Sequence, residues 1–109
     1  MFNLIHNQKV TKLDLSDQIG PKENQRLSEF LKKNQTLTKL DLSGNQIGTQ
    51  GAQYLGEALK QNQTLSGLNL PHNKIGAKYL SQALKKNQTL FNLDLSGNQI
   101  GEEATRYLS

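Results

Sequence analysis

The chain has 109 residues and a mass of 12.2 kDa, which fits a single domain with its own hydrophobic core. It contains no cysteine and no long apolar run, so disulfide scaffolds, thiol nucleophiles, zinc–thiolate sites and a membrane span are excluded, and no secretory signal is visible at its start. Its formal net charge of +4 favours acidic partners without identifying one.

Leucines at alternating positions recur along the chain and predict four short strands. These strands lie near residues 10–15, 37–42, 65–70 and 90–95. After each strand the apolar residues change to helical spacing, as Leu55, Ala58 and Leu59 do after the second strand. The helices are predicted near residues 21–33, 50–61, 77–86 and 102–108. Asparagines follow the first three helices, where a left-handed conformation commonly ends a helix. They are Asn34, Asn62 and Asn87.

The strand–helix unit is an internal repeat. An Ile-Gly pair follows each strand, and successive isoleucines are 28, 28 and 25 residues apart. They are Ile19, Ile47, Ile75 and Ile100. The shared pattern L-x-x-L-x-L-x-x-N-x-I-G resembles the leucine-rich repeat family in its long, ribonuclease-inhibitor-like form, over residues 10–109.

This resemblance implies an α/β fold, a leucine-rich repeat solenoid of about four repeats that forms a short horseshoe arc. Parallel strands line its concave face, and helices cover its convex face. Asn45, Asn73 and Asn98 stand at the family's ladder asparagine, whose side-chain amide satisfies backbone groups of the loop. The first repeat is one residue short after Ser16 and has no asparagine in that place, so we expect its loop to be irregular.

The repeats divide the chain into units within a single leucine-rich repeat domain over residues 1–109. The units are a partial leading unit at 1–9, repeats at 10–36, 37–64 and 65–89, and an incomplete last repeat at 90–109. The third unit lacks three residues before its helix, which should shorten that helix. Because solenoid ends normally need capping units, we expect the chain either to belong to a longer protein or to pair its ends with something.

No catalytic constellation occurs in the sequence, which predicts that the protein is not an enzyme and needs no cofactor. His6 and His72 do not recur at a repeat position, so both are interpreted as solvated loop residues. Aspartates contributed one per strand on a nearly flat sheet cannot enclose an ion, so no metal site is predicted. Three Asn-Gln-Thr segments match the N-glycosylation pattern and are interpreted as recurring turn chemistry.

Polar residues between the strand leucines are predicted to project from the concave face in three columns. The columns are Lys12, Lys39, Gly67 and Asn92; Asp14, Asp41, Asn69 and Asp94; and Ser16, Ser43, Pro71 and Ser96. One interpretation is that aspartate merely fills a solvated sheet. The other is that this acidic and polar strip docks a partner protein, since repeat proteins bind through extended concave surfaces.

A second column lies on the helices and is an alternative, lateral binding face, because aromatic residues are favoured at interfaces. Its members are Arg26, Tyr54, Tyr79 and Tyr107. Simple packing between adjacent helices also explains this column. The lysines at helix ends complement the helix dipole, and they do not make the dense basic face with stacking aromatics that nucleic-acid binding needs.

The family resemblance implies non-enzymatic binding of another protein in the cytoplasm, since long-type repeats serve as interaction scaffolds. Similar repeats also occur in effectors that intracellular bacteria such as Legionella deliver into host cells, and the amide- and lysine-rich composition fits that origin. Two alternatives stay open. One is a structural protein that self-assembles through uncapped ends, and the other is the substrate-targeting domain of a larger enzyme.

Overall fold

The computed structural model describes residues 10–73, 77–90 and 92–98. In these ranges the chain repeats one unit, in which a strand leads through a loop into a helix and the helix leads through a turn into the next strand. The strands are β1 (Lys12–Asp14), β2 (Lys39–Asp41), β3 (Gly67–Asn69) and β4 (Asn92–Asp94). The helices are α1 (Asn24–Lys33), which follows a 3-10 turn over Pro21–Glu23, α2 (Gly48–Gln61) and α3 (Ala77–Lys86).

The four strands form one parallel sheet in the order β1-β2-β3-β4. Their regular part is three residues long, so the six-residue strands predicted from the leucine pattern are too long. Backbone hydrogen bonds nevertheless continue past the strands on both sides. The Thr38 amide donates to the Thr11 carbonyl at 2.7 Å, and the Asp17 amide donates to the Ser43 carbonyl at 2.9 Å. The parallel α/β solenoid predicted from the repeats is confirmed.

One side of the sheet is buried by the helices. The central strand residues Leu40 and Leu68 are 2% and 1% exposed, while the helix residues Leu31 and Leu59 are fully buried. Burying such a side chain contributes about 2 kcal/mol of hydrophobic free energy. Helix α2 packs against both α1 and α3, so the core is continuous through the repeats.

The helix predictions differ from the structure mainly at their starts. The 3-10 turn and α1 together cover the predicted 21–33, α2 begins two residues earlier than predicted, and α3 spans the predicted 77–86. Helix α3 has 10 residues against 14 in α2, as expected from the shorter third repeat. The predicted helix at 102–108 and the leading unit at 1–9 lie outside the described residues, and the repeat boundaries stay a prediction. No helix in the described part of the chain has the length and apolarity that crossing a membrane requires.

A ladder of buried asparagine amides joins successive loops, as the family resemblance predicts. The Asn73 side chain is 0% exposed, donates to the Leu42 carbonyl at 2.7 Å and accepts from the Asn45 amide at 2.8 Å. Asn45 makes the same kind of bridge to the first loop, where its side chain donates to the Leu15 carbonyl and accepts from the Ile19 amide. Each asparagine therefore satisfies backbone groups of the preceding repeat.

The asparagines that follow the helices have a different role from the one predicted. Asn34 and Asn62 have φ near −72°, with ψ of 135° and 133°, so the prediction of a left-handed conformation is wrong. Their side chains instead form a second ladder. The Asn62 side-chain Nδ2 donates to the Leu31 carbonyl at 2.7 Å, and the Asn62 Oδ1 accepts from the Leu65 backbone amide at 2.8 Å. An extended backbone carries the chain into the next strand while the side chain closes the turn.

The Asn-Gln-Thr segments are explained by these turns. Besides the asparagine, the threonine is also engaged, since the Thr64 hydroxyl donates at 3.0 Å to the carbonyl of Leu37, the first residue of the same repeat. Thr36 and Thr89 make the equivalent bond to Val10 and Leu65. This pattern confirms that the segments are turn chemistry, with the asparagine and threonine directed inward.

The first loop is more regular than its sequence suggests. Asp17 has φ of +56°, close to the +67° of Gly44 at the same place in the second loop. Asn45 of the next repeat accepts a hydrogen bond from the Ile19 amide at 2.8 Å, as Asn73 does from the Ile47 amide at 3.4 Å in the second loop. The first loop is nevertheless one residue shorter and its Gln18 amide donates to the Leu15 carbonyl at 3.2 Å, so the expected irregularity is present only in part.

Candidate binding face

The sheet surface opposite the helices, the predicted concave face, carries the predicted columns in register. Across the sheet, Lys12 pairs with Lys39, then Gly67, then Asn92; Asp14 pairs with Asp41, then Asn69, then Asp94. We call the first set the upper row and the second set the acidic row. Neighbours within a row stand about 4.8 Å apart, the spacing of paired strands. The two rows line an open groove of about 630 Å³.

The acidic row is held in place by the strand ends. The Asp14 Oδ1 accepts hydrogen bonds from the Ser16 amide at 2.9 Å and from the Ser16 hydroxyl at 2.7 Å. Asp94 and Ser96 repeat this arrangement at the same two distances. Asp41 and Ser43 repeat it as well. The predicted serine column therefore orients the aspartates, because each serine hydroxyl is engaged by the carboxylate two residues before it.

These hydrogen bonds change the acidity of the row. The Ser16 amide, followed by the Ser16 hydroxyl, lowers the pKa of Asp14 below its ordinary value. The Ser96 amide and hydroxyl lower the pKa of Asp94 in the same way, with a smaller contribution from the nearby His72. Hydrogen bonds to the ionised form favour it, so both carboxylates stay charged at neutral pH.

The third repeat interrupts the acidic row. Asn69 stands where the other repeats have aspartate, and Pro71 replaces the serine. Proline has neither a backbone N–H nor a hydroxyl to donate, so the bond pair seen at Asp14 and Asp94 cannot form here. The row thus consists of two adjacent carboxylates, one amide and one further carboxylate.

The lysines of the upper row are exposed and stand beside each other on β1 and β2. The ion pairs between Glu29 and Lys32 and between Glu57 and Lys60 lie on the helices, and no ion pair of the described residues joins Lys12 or Lys39 to a carboxylate. The two positive charges of the face therefore remain available to a partner.

Comparisons with known proteins agree with this architecture. A sequence model of the family described as Leucine Rich repeat matches residues 33–56 and 86–108. The fold is a leucine-rich repeat solenoid. No curated protein shows a significant match to the sequence.

Two solved structures illustrate the similarity of this leucine-rich repeat fold to known proteins. One is "Leiomodin-1 Actin-Binding Site 2 (ABS2)", with a TM-score of 0.80, 24% identity and 94% of this chain covered; this chain spans 64% of that one. The other is the tropomodulin C-terminal domain of Caenorhabditis elegans, with a TM-score of 0.81, 14% identity, and coverage of 96% of this chain and 71% of that one. At these identities the likeness shows the fold.

The lateral face predicted on the helices is only partly described. Arg26 is exposed, and Tyr54 is half-buried beside a shallow groove of about 380 Å³ that Gln50, Gln53 and Gln82 help to line. The Tyr54 carbonyl accepts a hydrogen bond from the Ser28 hydroxyl at 2.7 Å, which joins α2 to α1. The side chain of Tyr79 and all of Tyr107 lie outside the described residues. The position of Tyr54 is compatible with both the packing and the binding interpretation.

The acidic and histidine side chains of the described ranges do not form a metal site. No cluster of three histidine, cysteine, aspartate or glutamate side chains there is arranged to hold a metal ion. His72 is exposed, has φ of +57° and places its ring over Gly97 in the next loop. His6 lies outside the described residues, as do Glu102 and Glu103.

Sequence reasoning missed one set of surface residues, the glutamines of the Asn-Gln-Thr turns. Gln35, Gln63 and Gln88 are exposed, whereas the asparagine and threonine on either side of each are engaged in the turn. The recurrence of an uncharged, hydrogen-bonding residue at the one outward position of three turns was the available indication.

Proposed function

We propose that the chain is a non-enzymatic module that binds another protein through its concave face. The observation that carries the proposal is the open groove of about 630 Å³, lined by two polar rows at strand spacing. Repeat solenoids present such extended surfaces to partners. The likeness to solved leucine-rich repeat domains, one of them described as an actin-binding site, supports a protein-binding role.

The aspartates have a structural role that must be separated from binding. In each of three repeats one carboxylate oxygen accepts from a serine two residues later, which stabilises the strand end. A carboxylate has two oxygens, and the other one is available for a partner. In this proposal one oxygen of each aspartate accepts the serine hydrogen bonds that stabilise the strand end, and the other oxygen binds the partner protein.

The test is the double substitution Asp41→Lys with Asp94→Lys. Charge reversal in the groove should abolish binding of a partner that touches this face, because like charges placed opposite each other are strongly unfavourable. Proteins captured from a eukaryotic cell lysate by the wild type would be identified by mass spectrometry, purified and titrated calorimetrically against each variant. Purified actin is the first defined protein to titrate, because the similar leiomodin-1 structure is that of an actin-binding site.

Two further variants separate the charge from the fold. Asp41→Asn with Asp94→Asn keeps an oxygen for the serine bonds, and Asn69 shows that the strand accepts asparagine. Glu29→Lys with Glu57→Lys makes the same change of net charge as Asp41→Lys with Asp94→Lys, but on exposed helix positions. We expect the groove variants to lose the partner and the helix variant to retain it. Equal retention by all of them would move the site away from the concave face.

The cellular location of the protein and its biological role stay predictions from the sequence. Delivery into a host cell as a bacterial effector, a cytoplasmic location, and the alternatives of self-assembly or substrate targeting for a larger enzyme rest on the resemblance of the repeats. A translocation assay in infected cells tests the first of these, and light scattering over a range of concentrations tests self-assembly.

A further inference from the structure

The fold separates charge onto its two long edges. The turn edge, which we define as the last helical residues and the turns into the next strands, consists of residues 32–36, 60–64 and 85–89. It contains five lysines and no aspartate or glutamate: Lys32, Lys33, Lys60, Lys85 and Lys86. The loop edge, where strands lead into loops, consists of residues 14–17, 41–46, 69–73 and 94–98. It contains four aspartates and no lysine or arginine: Asp14, Asp17, Asp41 and Asp94.

The stacking of the turns brings these lysines to one edge of the molecule. The Asn62 side chain donates to the Leu31 carbonyl and the Asn87 side chain donates to the Leu59 carbonyl, each at 2.7 Å, so every turn lies directly on the one before it. Lys32, Lys60 and Lys85 hold equivalent places in the three helices. Since packed helices lie 8–10 Å apart, the positive charges recur about every 10 Å along the edge.

The helix dipole accounts for only part of this pattern. It favours cations in the last turn of a helix, but the upper-row lysines Lys12 and Lys39 are on strands and extend the basic region onto the concave face. In the described ranges, Lys32 and Lys60 are joined to glutamates within their own helices, while Lys33 and Lys86 are exposed and no ion pair joins them to a carboxylate.

We propose that the turn edge is a second interaction surface, which binds an extended acidic segment of a partner protein. An extended chain advances about 3.3 Å per residue, so a carboxylate at every third residue matches the spacing of the lysines. The exposed Gln35, Gln63 and Gln88 supply amides that hydrogen-bond the backbone between these carboxylates. The proposal is independent of the concave groove.

The chemistry of the edge favours a protein segment over other anions. Proteins that bind single-stranded nucleic acid combine a basic groove with aromatic rings on which the bases stack, and the test below includes a DNA duplex, which basic residues bind through its phosphates. Of the described aromatic side chains, Phe30 is buried in the core and Tyr54 lies away from the helix end. Helices that bind a membrane surface insert apolar residues beside their lysines, whereas the outward turn residues here are glutamines. A second copy of the chain has an acidic loop edge of opposite charge, but the repulsion between two molecules of net charge +4 opposes that pairing, and the experiment below tests it.

The experiment uses a fluorescent peptide of six Glu-Gly-Ser units and measures its binding by fluorescence polarisation at low salt. The comparison peptide has the same composition with its glutamates in one block. We expect the spaced peptide to bind the full chain more tightly, and Lys33→Glu to weaken it about fivefold, the size of one exposed charge pair. The matched control is Lys22→Glu, an exposed lysine on the 3-10 turn at the other end of the helix, with an expected change below about twofold.

Each other outcome overturns the proposal in a specific way. An equal loss of peptide affinity in Lys33→Glu and Lys22→Glu would mean that the peptide responds to the net charge of the protein and not to the turn edge. Tighter binding of a DNA duplex than of the spaced peptide would assign the edge to nucleic acid. A mass that rises with concentration at low salt, and that Lys33→Glu returns to the monomer, would assign the edge to a second copy. Asp41→Asn with Asp94→Asn should leave peptide binding unchanged, which separates this surface from the proposed groove.

Discussion

Single asparagine side chains carry much of the contact between repeats. Asn73 donates to the carbonyls of Leu42 and Pro71 and accepts from the Asn45 amide, while its own side chain is fully buried. Asn73→Ala removes these bonds and leaves buried backbone groups without partners, each of which costs about 1–3 kcal/mol. We expect the free energy of unfolding to fall by about 3 kcal/mol, measured by urea denaturation followed by circular dichroism.

The matched control for this substitution is Asn69→Ala. Asn69 is an exposed asparagine on β3, only four residues away, and its truncation should change stability by less than about 0.5 kcal/mol. Similar losses for the two variants would mean that the buried ladder does not support the fold more than a surface asparagine does.

The aspartate–serine pairs allow a second prediction at the scale of residues. In Asp94 the Ser96 amide is the main cause of the lowered pKa and the Ser96 hydroxyl is the next. Ser96→Ala removes the hydroxyl and keeps the amide, so the pKa of Asp94 should rise part of the way towards its ordinary value of 3.8. A carboxyl titration by NMR measures this shift. An unchanged pKa would show that the hydroxyl does not bond the carboxylate in solution.

The direction of the shift also fixes the pH dependence of stability. A carboxyl group whose pKa is lower in the folded chain stabilises the fold above its unfolded value and loses that contribution as the pH falls through the folded one. For Asp14 and Asp94 the loss therefore lies at and below about pH 4, and stability near neutral pH should not depend on these two groups.

At the scale of elements, the leucine pattern was sufficient to predict the strands and helices, because burial of Leu40, Leu55 and Leu59 dictates which face turns inward. The conformation of Asn34 and Asn62 was not predictable in the same way. Their backbone is extended because the side chains bond carbonyls one repeat away, and such bonds depend on the stacking of the whole array. The rows of the concave face followed from the strand register, whereas the engagement of the serines by aspartate required side-chain geometry.

The close approach of α1 and α2 at Gly51 gives a prediction about stability. A Cβ on Gly51 would lie 2.5 Å from the Ile47 Cγ2 and 2.7 Å from the Asn24 Nδ2, so Gly51→Ala forces the Ile47 and Asn24 side chains to shift where α1 and α2 meet. Alanine favours a helix by up to about 1 kcal/mol over glycine, but overpacking costs about 1–3 kcal/mol and should dominate. Thermal unfolding should therefore show a lower melting temperature.

Gly67→Ala serves as the comparison for this substitution. A Cβ on Gly67 would meet the Lys39 Cγ at 3.4 Å, an ordinary contact on the open concave face. Because alanine reduces the freedom of the unfolded chain, this variant should be neutral or slightly stabilised. A Gly51→Ala variant as stable as Gly67→Ala would contradict the close approach of α1 and α2.

At the scale of the whole molecule, elements of the described repeats pack against those of adjacent repeats, and the stability of such a solenoid is approximately a sum of repeat and interface contributions. Helix α2 packs against both α1 and α3, and β2 and β3 each have a strand on both sides. The same linear arrangement explains why the sequence predicted the fold more completely than the partner. The repeated leucines and asparagines build the solenoid, whereas a repeat pattern does not specify which protein its exposed polar rows would bind.

This linear arrangement predicts that truncating a leucine in a central element destabilises more of the strands than truncating one in the last described strand. Leu59→Ala empties a fully buried site in α2 and should cost about 2–5 kcal/mol, because a cavity adds to the lost transfer free energy. Leu93 on β4 is only partly buried, so Leu93→Ala should cost less.

Hydrogen exchange followed by mass spectrometry should show that Leu59→Ala lowers amide protection from β1 to β4. Leu93→Ala should lower protection at β4 and at its partner β3 while leaving β1 and β2 protected. Loss of protection at β1 in the Leu93→Ala variant would show that the repeats unfold as one unit and not as a chain of neighbours.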